Sequence, residues 1–252
     1  MRTSHALAAL VLAAAAATRA ATLDEVLTRL RAARSTADFT VIARLVHVTA
    51  SGERQNHAIT VKAHAFPDGL RIFCEVTAPE SERVRLLLVA PTSGAVTIHT
   101  GHPGDAALKD LPPERWGDAL LGSYFSYEDL LENQSGWRRQ TLLPEARYGA
   151  RDCLVLRSEP GAGDASRYAS VTSWLDREIY SPVKVDKAVK SSGEVKHFIY
   201  YGLRQVKGVW AASQIECKVD GKQGSTLLII NRGSAAPHHT RAAFEPELLV
   251  RR

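Results

Sequence analysis

The chain lacks the short motifs that mark established chemistries. It holds no HExxH, GxSxG, CxxC, Walker loop or GxGxxG, so no signature for zinc hydrolysis, acyl transfer, dithiol redox or nucleotide binding can be quoted from it. Cysteine is scarce and odd in number. Cys74, Cys153 and Cys217 stand far apart, which excludes a disulfide scaffold and a paired-CxxC zinc site and leaves room for at most one disulfide. Each lies in a strand-like run (RIFCEV, RDCLVL, QIECKV) where a small buried hydrophobe is the ordinary role. No Ser/Gly-rich or charge-block linker divides the chain, and past the N-terminal segment no stretch approaches the roughly eighteen consecutive apolar residues of a membrane helix.

What is present begins with an export signal. Arg2 and His5 precede an apolar run from Ala6 to Ala17, and Thr18-Arg19-Ala20 offers small residues at the two positions a signal peptidase reads, so cleavage is expected between Ala20 and Ala21. The run is shorter than the ~20 residues of a bilayer span. No cysteine lies near the cleavage site to carry a lipid, so the mature chain is expected to be periplasmic and not membrane-anchored. Without Arg2 and Arg19 the formal charge falls from +5 to +3, with Lys and Arg interleaved among acids. That mild, unstriped charge does not describe a nucleic-acid surface.

Residues 22–34 carry Leu23, Val26, Leu27 and Leu30 at helical spacing behind a Thr22/Glu25 capping box, which predicts an amphipathic helix. From Asp38 the period changes to two. Runs near 38–50, 56–66, 69–78, 83–90 and 94–99, then 139–147, 151–158, 167–176, 182–189, 194–206, 209–219 and 224–232, are separated by hairpin-length turns such as Pro67-Asp68-Gly69 and Asp220-Gly221-Lys222. Connections this short require antiparallel order. Several strands are apolar on both faces: Phe39, Val41, Ala43 and Leu45 alternate with Ile42, Val46 and Val48, and Val84 to Val89 scarcely alternates. A second cover is therefore expected over the sheet. It can come from the N-terminal helix and from the irregular segment 101–137, which contains a helical-looking stretch from Trp116 to Leu121; segments of that length are usually binding loops or lids. The expected fold is mainly β (α+β): a curved antiparallel sheet of about eleven strands forming an open half-barrel, in one domain over 21–252, covered by an N-terminal helix and a helical lid.

Candidate reactive groups are few. His99 and His102 sit where a strand runs into a loop and lack the one-face geometry of a metal pair, and His238-His239 lies in a polar turn. Glu80 with Glu82, and Glu128 with Asp129, occupy turns or first helical turns where acids cap and solvate. Trp174 reads as packing on a sheet face, whereas Trp116 stands apart in the irregular segment.

FSYEDL at Phe125–Leu130, Trp174-Leu175-Asp176 leading to Pro182-Val183-Lys184, the Gly208 to Trp210 hairpin and the closing F-x-P-x-x-L at Phe244 to Leu249 together resemble the outer-membrane lipoprotein-sorting proteins of the LolA-like superfamily. The resemblance covers about 120–250. It implies an apolar concavity, plugged by helices, that receives acyl chains of lipids or lipoproteins, with an inner-membrane transporter as a further partner. The carriers of this family hold their lid with an arginine before a proline on an early strand; here that stretch reads His64-Ala65-Phe66-Pro67-Asp68-Gly69, and the nearby Arg71 falls on the next strand. The expected function is a non-enzymatic periplasmic carrier, without metal or cofactor. Its cavity is expected to be lined by Phe39, Val41, Leu45, Leu86, Leu88, Trp116, Leu120, Tyr124, Phe125 and Leu130. The alternative is a periplasmic sensor or accessory transporter subunit that uses the same fold to bind a protein.

Overall fold

The computed structural model describes residues 21–249 apart from 207 and 236, and leaves the side chains of 247 and 248 undescribed. Residues 1–20, the segment expected to be a signal peptide, lie outside the described residues. The first element, α1 (Leu23–Ser35), starts where the sequence places it: the Thr22 hydroxyl accepts from the Glu25 amide, and the Glu25 carboxylate accepts from the Thr22 amide at 2.8 Å.

The strands then run β1 (Asp38–Val48), β2 (Arg54–Phe66), β3 (Gly69–Ala78), β4 (Arg85–Pro91), β5 (Thr97–Gly101) and β6 (Lys109–Asp110). After an irregular crossing come β7 (Arg139–Tyr148), β8 (Arg151–Glu159), β9 (Tyr168–Asp176), β10 (Pro182–Val189), β11 (Val195–Tyr201), β12 (Arg204–Val206), β13 (Val209–Ala211), β14 (Gln214–Val219) and β15 (Ser225–Ala235). Thirteen of them form one antiparallel sheet in the order β6-β5-β4-β3-β2-β1-β15-β14-β11-β10-β9-β8-β7, while β12 and β13 pair with each other. The sheet is thus two meanders joined at a single seam, β1 against β15. Its edges β6 and β7 are not paired with each other, so it is open.

The expected strand count is corrected from about eleven to thirteen in the sheet, plus the hairpin. The runs 194–206 and 209–219 each break into two elements because the chain leaves the sheet at Gly202 and re-enters at Gln214. The two-residue β6 lies in the segment read as irregular.

α1 touches β2 and β3 in one half of the strand order and β7 at the far edge of the other. In a flat sheet β2 and β7, eight strand spacings apart in that order, would be separated by about 38 Å. A helix of 13 residues is only about 20 Å long, so the sheet must curl around it. Val26 and Leu27 are buried against Leu154, Leu156 and Leu175, each burial contributing about 1.5–3 kcal/mol.

The main core lies on the concave face, where Leu45, Ile59, Leu86, Leu88, Ile98, Val171 and Phe198 meet Leu111, Trp116, Leu120, Phe125, Leu131 and Trp137 of the crossing segment. That segment, 111–138, is not the helix expected from Trp116 to Leu121. It is a chain of short turns (Pro113–Arg115, Leu120–Gly122, Tyr127–Leu130, Gln134–Gly136), and the helical stretch fails because Leu121 takes a left-handed φ of 53° and the Leu120 amide donates to the Phe125 carbonyl at 2.8 Å.

The second apolar face has a cover of its own. Phe73 and Leu87 on the convex side are sealed by Phe244 and Leu249 of the C-terminal segment 237–249. The three cysteines are buried and free.

Candidate functional site: a covered cavity with a buried ion cluster

Between α1, the crossing segment and the concave face lies a cavity of about 520 Å³, within the range of about 300–1,000 Å³ typical of ligand pockets. Its wall is mostly apolar: Leu30 from α1; Phe39, Val41, Val61, Leu70 and Ile72 from β1 to β3; Phe125, Leu130 and Leu131 from the crossing segment; and Ile215, Leu228 and Ile230 opposite. The hairpin β12–β13 and its flanks, from Leu203 to Ala212, border the cavity through Val206, Val209, Trp210 and Ala211.

Of the residues expected to line a cavity, Phe39, Val41, Phe125 and Leu130 do. Leu45, Leu86, Leu88, Trp116 and Leu120 are instead packed into the main core, with Trp116 donating its indole N–H to the Leu111 carbonyl at 2.9 Å. Apolar character on β1, on β4 and in the irregular segment marks these residues as core-forming; it does not distinguish the part of the concavity that the crossing segment itself fills. Tyr124 packs at the rim of that core and ties the segment to β15: its amide donates to Thr226 Oγ1 at 2.9 Å and its hydroxyl to the Gln223 carbonyl at 2.7 Å.

The site's polar centre is Asp129, a residue whose place in a first helical turn predicts only a capping role. It does cap Ser126, but its side chain is wholly buried. Oδ1 accepts from Lys187 Nζ at 2.9 Å and from the Tyr168 hydroxyl at 2.7 Å; Oδ2 accepts from Lys196 Nζ at 3.2 Å and from the Ser126 amide and hydroxyl.

The register explains the need for this anion. Lys187 on β10 stands directly opposite Lys196 on β11, and both point inward with Val185 and Phe198. Like charges directly opposite repel, and burial worsens the repulsion. Burial alone would raise the Asp129 carboxyl, but the two ammonium groups outweigh it and hold the group well below the usual carboxylate range. Burial pulls Lys187 down and Asp129 pulls it up, with the net result above its ordinary value. Burial and the neighbouring Asp129 charge keep the Tyr168 phenol protonated well past its usual range.

Around this centre the crossing segment is fastened further. The Glu128 carboxylate, raised by burial, accepts from the Arg167 amide at 2.8 Å and from the Ser166 hydroxyl. Glu132 takes a left-handed φ of 42° and accepts the Tyr200 hydroxyl at 2.6 Å. Arg34 of α1 donates to the Leu131 and Glu132 carbonyls at 3.1 and 3.0 Å, joining the helix to the segment across the cavity. Arg71, the arginine nearest the family's latch position, instead pairs with Asp68 on the other side of the sheet. Lys187 on the inward face of β10 was the available signal for the cluster, because a cation at a core position requires a partner.

The histidines engage separate partners: His99 Nδ1 lies 2.6 Å from Asp110 Oδ1, whereas His102 Nδ1 lies 2.8 Å from the Arg83 carbonyl. Among the described residues no group of three or more His, Cys, Asp or Glu is placed to hold a metal ion, and no helix is long and apolar enough to cross a membrane.

Solved structures match this open sheet curled around a helix along nearly the whole chain. A domain named for outer membrane lipoprotein sorting, from Vibrio parahaemolyticus, superposes with a TM-score of 0.80 at 19% identity, covering 91% of this chain and 100% of that one. A DUF1329 family protein from Desulfovibrio piger gives 0.81 at 14% identity, over 90% and 97%. A LolA superfamily protein from Nitrosomonas europaea gives 0.69 at 17% identity, over 90% and 98%. The family model whose description reads "-like: Uncharacterized protein" matches residues 103–251, more than half of the sequence, and the chain belongs to that family. A comparison with curated proteins returns no match.

Proposed function

We propose that this protein is an exported, periplasmic carrier, not an enzyme, and that it shelters a lipid or lipoprotein acyl chain in the cavity beneath the crossing segment. The observation that supports this reading is the cavity: about 520 Å³ of mostly apolar space inside a sheet that acts as a half-barrel, with α1 and the crossing segment as its cover. Each methylene kept from water is worth ~0.8 kcal/mol, so a chain of a dozen methylenes opposes aqueous transit by about 10 kcal/mol unless it is sheltered. Cargo would contact Phe39, Val41, Phe125 and Leu130, and a membrane transporter is the natural donor.

The test is a delipidated preparation offered a fluorescent fatty acid, with native mass spectrometry of the protein as purified from its host. Uptake, or a co-purifying lipid, is the expected outcome. A protein that takes up no fatty acid and carries no lipid ends the carrier reading. Recovery of a stoichiometric membrane partner by such lipid-free protein would favour a sensor or accessory transporter subunit.

A further inference from the structure

The Gly208 to Trp210 turn has a place in the fold that the cavity alone does not explain. Pairing of β11 with β14 ends at Tyr201 opposite Gln214. At Gly202 φ is +60° and a Cβ would collide with the Ser213 hydroxyl, so only glycine permits the chain to leave the sheet there. What leaves is the hairpin β12–β13, hydrogen-bonded to itself and outside the thirteen-stranded sheet.

At its far end Val209 is 50% exposed and Trp210 38% exposed. A single exposed hydrophobe is ordinary, but two consecutive ones beside the turn of a hairpin outside the sheet put apolar surface on both of its faces. Both also border the cavity. Between Leu203 and Ser213 the sequence contains Arg204 and Lys207 and no acid, and Arg204 is exposed. A stable protein interface buries about 800 Å² per partner, far more than two side chains supply. A tryptophan beside cations instead has the composition of a membrane-interface anchor that is drawn to anionic lipid.

We infer that the β12–β13 hairpin docks onto a bilayer, seating Val209 and Trp210 among the headgroups of anionic phospholipids so that the cavity mouth opens onto acyl chains. This inference rests on the carrier reading and adds the surface from which cargo is taken or to which it is given.

Sedimentation of the mature protein with phosphatidylcholine vesicles, with and without phosphatidylglycerol, tests it. Binding is expected with the anionic lipid, weakening as salt is raised, and Val209→Ser/Trp210→Ser is expected to lower it about tenfold with an unchanged melting temperature. Trp116 and Trp137 are buried and Trp174 is half-buried beside Lys184, so the Trp210 share of a blue shift in emission and of quenching by brominated lipids is read as the difference between the unaltered protein and Trp210→Phe. Trp210→Phe, which keeps an aromatic side chain at the tip, should retain binding and lose most of both signals. Fatty-acid uptake from a soluble cyclodextrin complex, measured on the unaltered protein, separates the two readings. Uptake without vesicle binding overturns the hairpin inference and spares the carrier, while neither uptake nor bound lipid overturns both. Vesicle binding that survives the double serine variant, or that shows no preference for anionic lipid, also overturns it, as does capture of a membrane protein by a chain that does not bind vesicles.

Discussion

Two irregular segments cover this sheet, one on each face, and they are fastened by opposite means. The inner one, 111–138, crosses the concave side and is pinned by a buried anion between two lysines that face each other across β10 and β11. The outer one, 237–249, is wedged by Phe244, 2% exposed and edge-on to Phe66, with exposed ion pairs around it: Arg241 and Arg71 share Asp68. Its N-terminal end is tied by the His238 amide to Asp38 and by His239 to Thr40, both at 2.9 Å. The difference follows from what each face offers. On the inner side β10 and β11 present cations away from water, so the cover must bring charge; on the outer side an apolar patch on β3 and β4 needs only a hydrophobic plug. The inner attachment is conditional on charge and the outer one on volume.

The largest expected effect comes from removing that charge. Asp129→Asn keeps the shape but leaves the two lysines opposed, and should cost about 3–5 kcal/mol in urea unfolding, the usual penalty for an uncompensated buried charge. Adding Lys187→Met to it should recover part of the loss, and a cycle without coupling between the two sites would break the account of the cluster. The pH dependence has a definite sign. The folded-state pKa of Asp129 lies below its unfolded value of ~3.9, so its contribution is present above that value and disappears as the pH falls through the folded pKa. Acid unfolding monitored by circular dichroism should therefore be less steep in Asp129→Asn.

Next in size is Phe244→Ala, which should cost about 3 kcal/mol by opening a cavity on the convex side, while the fatty-acid uptake expected of the proposed carrier is retained. Loss of uptake in a folded Phe244→Ala protein would show that the two covers are coupled.

A smaller pair of effects should oppose each other between about pH 5 and 8. Burial beside Tyr124 lowers His47, so its contribution is present above ~6.5 and lost as pH falls through the folded value. For His197 burial acts in the same direction, but Asp186 at 2.7 Å and Asp220 at 2.9 Å outweigh it and raise the pKa. That contribution is present below ~6.5 and lost as pH rises through the folded value. Melting curves of His47→Gln and His197→Gln across this range should tilt in opposite directions. Smallest of all, Arg241→Ala removes one exposed partner of Asp68 and should leave the melting midpoint unmoved.

Local chemistry accounts for much of the fold directly in the sequence. The Thr22/Glu25 box starts α1, the turn at Pro67-Asp68-Gly69 joins β2 to β3, and the two-faced strands announce that both sides of the sheet need covering. The strands that could not be bounded are those where geometry is decided elsewhere. Residues 194–219 read as two strands because nothing before Gly202 and Ser213 are brought together reveals that the chain must step out of the sheet. The crossing segment was recognisable as a cover, but Leu121 and Glu132 hold left-handed conformations that only tertiary contacts sustain, so its turns read as helix. The ion cluster was hidden for a different reason: Asp129 and Lys187 are 58 residues apart and become partners only once β10 and the crossing segment occupy the same concavity.

The seam at the centre of the sheet governs the order of assembly. β1 and β15 pair along their length, Phe39 with Ala235 and Val48 with Ser225, so the first strand made has as its neighbour the last. A chain that emerges N-terminus first can zip each meander by local hairpins, yet the two halves cannot join until nearly the whole polypeptide has appeared. Contacts of such sequence separation are slow to form. While the nascent chain lacks its end, one edge of β1 stays unsatisfied.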